Sequence, residues 1–386
     1  MKKIAILLTS IPQSGGEHQY LVLVMETLIK YNNIYFDVKP ICCNRFWRKW
    51  CQDNHIEFIR YEQEKYKPVF MELNAKCYRV FKIYNTYFSK LGKIITENKI
   101  DLLIGGQQST FLPALPCKLL QPVHDLMHRF EPGFEEIKNT YQEREVHFAS
   151  SSRFVDIVLV DSVLGRQQYI DCYYKRGSHI PHIRILPFAT PDYKNKEPEY
   201  IKTPDKYIFY PAQFWMHKNH KNLLQAIYLL KERIPDIHLV LVGSEKNSLF
   251  DIKKMIQNKA LNQNVTIMGF VSDEQVMYLY QNAVALVMPT YFGPTNIPPL
   301  EAMALGCPVI ASNKYAMPEQ IGDAGLLFDP DSPEELATCV ERVWNNEELR
   351  QNMIAKGYEQ SKKWTGEKFK KRFLNIMLDE LKICVS

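Results

Sequence analysis

The residues best suited to chemistry in this 386-residue chain cluster in one stretch, Gly293-Pro294-Thr295-Asn296-Ile297-Pro298-Pro299-Leu300-Glu301-Ala302-Met303-Ala304-Leu305-Gly306-Cys307-Pro308-Val309-Ile310-Ala311-Ser312. An uncharged loop leads into a short helix carrying Glu301, and a Gly-Cys-Pro break then opens an apolar strand. Unpaired N–H groups at a helix start attract anions, and the helix dipole adds about 0.3–1 kcal/mol for a nearby negative charge. Glu301 would repel a phosphate beside it, so neutral hydroxyls such as those of a ribose are its expected partners. The stretch therefore predicts a sugar-nucleotide cradle. A second group, Tyr210-Pro211-Ala212-Gln213-Phe214-Trp215-Met216-His217-Lys218-Asn219-His220, lies between an expected strand and an expected helix. Cations at a helix start oppose its dipole, so Lys218 there points to a bound anion. Ser14-Gly15-Gly16-Glu17 offers a close backbone approach to a ligand or an ordinary tight turn. Pro122-Val123-His124-Asp125-Leu126-Met127-His128 offers a ligand-facing pair or a buried structural histidine.

These groups need a sheet to hold them. Short β-rich runs alternate with helical patterns from end to end, which is the mark of parallel α/β units. Strands are expected at 4–9, 102–105 and 155–161, then at 207–211, 237–242, 265–268, 285–289 and 308–312. The fold class is α/β, with two doubly wound sheets. Between them, the run from Pro187 to Pro198, followed by Pro204, is polar, charged and rich in proline, as in an exposed linker. Phe369, Phe373, Ile376, Met377 and Leu381 fall at helical spacing near the end. Asp329-Pro330-Asp331 imitates a metal-binding Asp-x-Asp. Ser332, Pro333 and Glu335 explain it better, as N-cap, first helical position and capping-box partner. Ser272 to Gln275 forms a similar box.

Apolar residues make up 46% and charged residues 24%, ordinary values for a soluble globular protein. The apolar start 4–9 meets Ser10-Ile11-Pro12, which fits a first strand better than a secretory signal. Nine cysteines without paired ligand spacing point to a reduced, cytoplasmic compartment and to no structural metal. The net charge of +5 is uneven, because residues 41–100 hold twelve Lys or Arg against six Asp or Glu, among twelve aromatics. That mixture suits peripheral contact with an anionic membrane at its inner face, or a phosphorylated acceptor. It equally suits two amphipathic helices with a solvated basic face. No RNA or DNA module accompanies it, so no nucleic-acid partner is expected.

Over nearly its whole length, and most closely from 207 to 341, the chain resembles the retaining, family-four glycosyltransferases of the GT-B architecture, the glycosyl transferases group 1. The resemblance implies two Rossmann-like domains facing a central cleft. One is an acceptor-side domain over 1–190, with a C-terminal helix at 366–386 packing back on it. The other is a nucleotide-sugar-binding domain over 205–365. In the family a glutamate, seven residues and a second glutamate bracket the donor; Glu301 matches the second, and Gly293 stands at the first. Lys218 matches the lysine that neutralises the donor diphosphate. Gln213 stands where its companion arginine falls, with His217 or His220 expected to supply part of the lost charge. By the same match the N–H groups of Asn296 and Ile297, beside Thr295, face the diphosphate and sugar, and Gly15 and Gly16 lie beneath them. His124 is expected to hydrogen-bond the donor sugar, while Asp125 orients it or touches the acceptor.

The implied activity moves a sugar from a nucleotide-diphosphate donor to a glycan or lipid-linked glycan acceptor, with retained configuration, in surface polysaccharide synthesis. It calls for no metal and no cofactor beyond the nucleotide-sugar co-substrate. A GT-B nucleotide-sugar epimerase and a catalytically silent sugar-nucleotide-binding protein are the alternatives left open by Gly293 and Gln213.

Overall fold

The computed structural model describes residues 1–12, 15–62, 73–74, 77–78, 80–81, 83–110, 112, 114–174, 180–193, 196–293 and 295–384. It divides into two compact units. The first comprises Met1–Leu126, Tyr141–Pro187 and the chain from Phe369 onward; the second comprises Met127–Thr140 and Phe188–Lys368.

The first unit is built on strands β1 (Lys2–Leu8), β2 (Phe36–Cys42), β3 (Ile59–Arg60), β4 (Leu102–Gly105), β5 (Lys118–Val123), β6 (Ile157–Val160) and β7 (His182–Ile185). They lie in the order β3-β2-β1-β4-β5-β6-β7, and every pairing is parallel. Strands covered on both faces read as continuous apolar runs, and Ile4 to Leu8 are each at most 1% exposed. The second unit carries β8 (Ile208–Pro211), β9 (Leu239–Val242), β10 (Val265–Ile267), β11 (Ala285–Met288), β12 (Val309–Ser312) and β13 (Gly325–Phe328). Their order is β10-β9-β8-β11-β12-β13, again all parallel. Each sheet thus reverses its strand order beside its first strand, at β1/β4 and at β8/β11. Ligands of open α/β sheets bind in the crevice at that point.

Every strand expected from the sequence is present, with its ends within two residues. Five others were not expected: β2, β3, β5, β7 and β13. Asp37, Lys39 and Pro40 interrupt β2, and Gln121-Pro122 interrupts β5, so neither reads as an apolar run. Tertiary context compensates, because Gln121 is only 1% exposed and its amide donates to the carbonyl of Gln107 at 2.8 Å.

The proline-rich stretch is exposed at Asp192, Glu197 and Pro198, as a linker would be, but its start is held down, which corrects part of the expectation. Phe188 packs against the core of the second unit, and the Thr190 N–H donates to the Trp364 carbonyl at 2.8 Å. Apolar and hydrogen-bonding residues between the prolines hold it down; Lys194 and Asn195 lie outside the described residues. The C-terminal helix Gly366–Leu381 buries Phe369, Phe373, Met377 and Leu381. Its Glu380 receives Arg184 Nε at 2.6 Å and pairs with His182 Nδ1 at 2.7 Å, both on β7. The segment Met127–Thr140 falls between β5 and β6 in sequence, yet its Met127 and Ile137 form a small apolar cluster with Phe292 of the second unit. Ser272 and Gln275 make the reciprocal capping box. Ser332 Oγ accepts the Glu335 N–H at 3.1 Å, so Asp329-Pro330-Asp331 heads the helix Pro333–Asn345. Among the described residues, no helix is long and apolar enough to cross a membrane.

Candidate functional site

In the second unit, the loop after β8 carries Gln213, His217 and Lys218, and the loop after β11 carries Gly293, Thr295 and Asn296. The two loops are joined at the switch point: the Tyr291 N–H donates to the His217 carbonyl at 2.9 Å, and Thr290 Oγ1 donates to the same oxygen at 3.3 Å. Lys218 ends a short turn, Met216–Lys218, whose carbonyl accepts the Tyr210 hydroxyl at 3.0 Å. Asn219 then takes a left-handed φ of 58°, and its amide fastens the turn to the carbonyls of Pro289 and Pro330 at 3.0 and 2.9 Å. Gln213 Oε1 accepts Trp215 Nε1 at 2.9 Å.

His217 does not stand alone. Glu136, from the Met127–Thr140 segment, accepts its N–H at 3.1 Å, pairs with its Nδ1 at 2.8 Å, and accepts Asn247 Nδ2 at 2.9 Å. Burial pushes the Glu136 carboxyl up, but these hydrogen bonds outweigh it and pull it down to about 2. His220 cannot supply the expected charge. It is 2% exposed, lies on the Phe214 ring at 4.6 Å between centroids, and burial, with Lys218 nearby, lowers it to about 3. It is neutral near pH 7.

Two further expectations change at the helix Ile297–Ala304. The Asn296 N–H donates to Gln320 Oε1 at 2.9 Å, and Gln320 Nε2 returns a bond to the Asn296 carbonyl. That amide is occupied from within the fold. Pro298 and Pro299 carry no N–H, which thins the first-turn donors and leaves Ile297 as the N–H at the helix start. Glu301, expected to meet neutral hydroxyls, meets two phenols: Tyr193 at 3.0 Å and Tyr280 at 3.0 Å. Burial raises its pKa, against the pull of both hydrogen bonds. Gly293 has φ 137°, and a Cβ there would lie 2.3 Å from Asn296 Nδ2. A glutamate at 293 is therefore incompatible with the present place of Asn296.

In the first unit, Gly15 N-caps the helix Gly16–Lys30 at φ 61°, a conformation that glycine adopts without steric cost. Ser14 lies outside the described residues. His124 and Asp125 follow β5, and both of their N–H groups donate to Gln108 Oε1, at 3.0 and 3.1 Å. His124 Nδ1 lies 3.0 Å from Asp161 Oδ1. Burial disfavours the imidazolium, yet Asp161 and the nearby Glu17 and Asp125 outweigh it and raise the His124 pKa. Asp125 accepts Gln108 Nε2 at 2.8 Å and pairs with Arg144. Glu17 accepts Gln107 Nε2 at 3.0 Å, and burial raises its pKa, against the opposing pull of His124. His124 and Asp125 thus sit in a network of Glu17, Gln107, Gln108, Arg144 and Asp161. Asp161, at the end of the expected strand 155–161, and Glu17, in the glycine loop, were findable by position; Gln107, Gln108 and Arg144 were not.

Two units with parallel sheets in this order define the GT-B class of fold. A sucrose-phosphate synthase of Thermosynechococcus elongatus superposes with a TM-score of 0.73 at 18% identity, covering all of both chains. Anabaena HepE, solved with UDP-glucose, gives 0.70 at 14% identity over 98% of this chain and all of that one. Residues 192–360 match the family model described as Glycosyl transferases group 1. The O-antigen chain mannosyltransferase B of Escherichia coli is 27% identical over 239 residues, 59% of this chain and 61% of that protein. The chain spans only about a third of the length of the next curated relatives.

Proposed function

We propose that the protein is a retaining GT-B glycosyltransferase, a hexosyltransferase that moves a sugar from a nucleotide-diphosphate donor to a glycan or lipid-linked acceptor in surface polysaccharide synthesis, at the cytoplasmic face. The observation that carries this is the joined pair of loops at the β8/β11 switch point, within the residues matched by the family model. The similarity to an O-antigen mannosyltransferase supports the setting and makes mannosyl a first candidate for the transferred group. The UDP-glucose bound by HepE supports a nucleotide-sugar donor.

In this reading Lys218 stabilises charge growing on the leaving diphosphate. The C1–O bond to the β-phosphate breaks on the same face on which the acceptor oxygen bonds to C1, and the departing phosphate oxygen takes the acceptor's proton. Thr295 and Ile297 border the donor; Glu301 meets the ribose only as Tyr193 gives way to its hydroxyls. His124 and Asp125 serve the sugar and acceptor, with Gly15 and Gly16 beneath.

Thermal-shift measurements with UDP, GDP and dTDP test the donor. A nucleotide at 100 times its Kd stabilises by about 2.7 kcal/mol, so one of the three should raise the melting temperature by several degrees. With the matching sugar nucleotides, Lys218→Ala should lower turnover about 10²- to 10³-fold, and NMR of the product should show the donor's anomeric configuration. An epimerised donor without transfer, no stabilisation by any nucleotide, or full turnover in Lys218→Ala would each overturn the reading.

A further inference from the structure

On the glycosyltransferase reading, the loop after β8 faces a diphosphate with a neutral amide, Gln213, where the family carries an arginine. That amide is turned to its own loop, since Gln213 Oε1 accepts Trp215 Nε1 at 2.9 Å. Two histidines follow it. His220 stays neutral, because burial and the nearby Lys218 lower it to about 3. His217 has the opposite surroundings.

His217 lies where the two loops join: its carbonyl accepts the Tyr291 N–H at 2.9 Å and Thr290 Oγ1 at 3.3 Å. Glu136 reaches it from the short helix Glu135–Lys138, in a segment that packs within the second unit. One carboxylate oxygen accepts the His217 N–H at 3.1 Å and lies 2.8 Å from Nδ1, and the other accepts Asn247 Nδ2 at 2.9 Å. The two side chains are 13% and 9% exposed, so solvent ions screen the pair weakly. A carboxylate this close favours the protonated imidazole. The other groups around the ring are Phe134, edge-on at 6.2 Å between centroids, and Tyr291, whose phenol burial and Asp331 hold up in its neutral form. Lys218 and His220 share the loop, and Lys246 lies over the Trp215 ring at 5.0 Å. The two lysines oppose a further positive charge, and Glu136 offsets them.

We propose that Glu136 is a positioning residue of the donor site, holding the His217 imidazole as a cation that acts on the donor diphosphate in place of the missing arginine. A histidine charge of this kind is present at low pH and lost as pH rises through the ring's titration. Calorimetric titration of the full chain with GDP-mannose and UDP-glucose, from about pH 6 to 9, tests it; a sugar-linked diphosphate keeps its own charge constant over that range. The parent should bind one of them, more weakly as pH rises. Glu136→Gln keeps acceptors for the His217 N–H and Nδ1–H but removes the charge. It should move both that loss of affinity and the His217 ring titration, followed by NMR, to lower pH. His217→Gln should bind about tenfold more weakly at pH 6.5 and lose the pH dependence. An unmoved His217 titration in Glu136→Gln, affinity lowered there equally at every pH, or parental affinity in His217→Gln would overturn the proposal while parental donor binding left the glycosyltransferase reading standing. Binding of neither sugar nucleotide by the parent would sink both.

Discussion

Asp161 sets the character of His124. An imidazole buried this deeply would be neutral without a partner, because the charged form loses its hydration. The carboxylate 3.0 Å away opposes that loss and, with Glu17 and Asp125, raises the pKa. Asp161→Asn should therefore move the His124 titration, followed by NMR of the ring protons, to lower pH; an unchanged titration would remove Asp161 from the role. Glu301 shows how far single residues are legible. Its type and its place after an uncharged loop gave a carboxylate expected to meet neutral hydroxyls such as those of a ribose, whereas the hydroxyls it meets in the fold are those of Tyr193 and Tyr280. Their identity lay 108 and 21 positions away in the chain, and no local pattern encodes such a contact. Gly293 read only as a missing carboxylate. Its positive φ and the Asn296 amide in its Cβ space make it a partner of Asn296 instead.

At the level of elements, the C-terminal helix is fastened to β7 chiefly by Glu380, with Asp379 in a longer contact to Arg184 at 3.7 Å. Burial opposes ionisation of Glu380, but His182 and Arg184 outweigh it and lower its pKa. A carboxyl with a depressed folded pKa contributes stability above its unfolded value of about 4.3, and that contribution fades as the pH falls through the folded value. Glu380→Gln should lower the melting temperature by a few degrees at pH 7, for a loss of about 1–2 kcal/mol. The difference from the parent should narrow in scans taken below about pH 4. A gap that is constant with pH would mean that packing, not charge, fastens the helix. The apolar spacing of this helix was plain in the sequence, but Glu380 was not: one buried carboxylate on the apolar face leaves the period intact, and only β7 explains it.

For the whole molecule, the excess charge of residues 41–100 is partly resolved. Trp47 belongs to the core, at 0% exposure, with Nε1 donating to the Ser10 carbonyl at 2.8 Å; it is not a surface aromatic. Residues 63–72, at the centre of the stretch, lie outside the described residues. Arg48, Arg60, Lys90 and Lys93 line one cavity of about 430 Å³ with Tyr61 and Ile94, and Glu62 and Glu97 only partly offset them. We propose this face for anionic lipid contact. In liposome flotation the protein should rise with vesicles containing an anionic lipid and stay down with neutral ones, each basic residue near the surface contributing about 1 kcal/mol. Equal flotation with both, or with neither, would count against it.

The sequence by itself determined two parallel α/β sheets, eight of the strands described here, the capped helix starts at Ser272 and Ser332, the loop that carries Lys218 and the helix that carries Glu301. Those features follow from local periodicity and turn chemistry, which act over a few residues. Only the tertiary structure decided that the start of the proline-rich stretch is held on the second unit, that Gln320 takes the Asn296 amide, that Glu136 holds His217, and that Asp161 raises the His124 pKa. Each joins groups from elements distant along the chain. A buried polar atom must find a partner wherever the fold brings one within reach, and chain proximity does not say which partner that is.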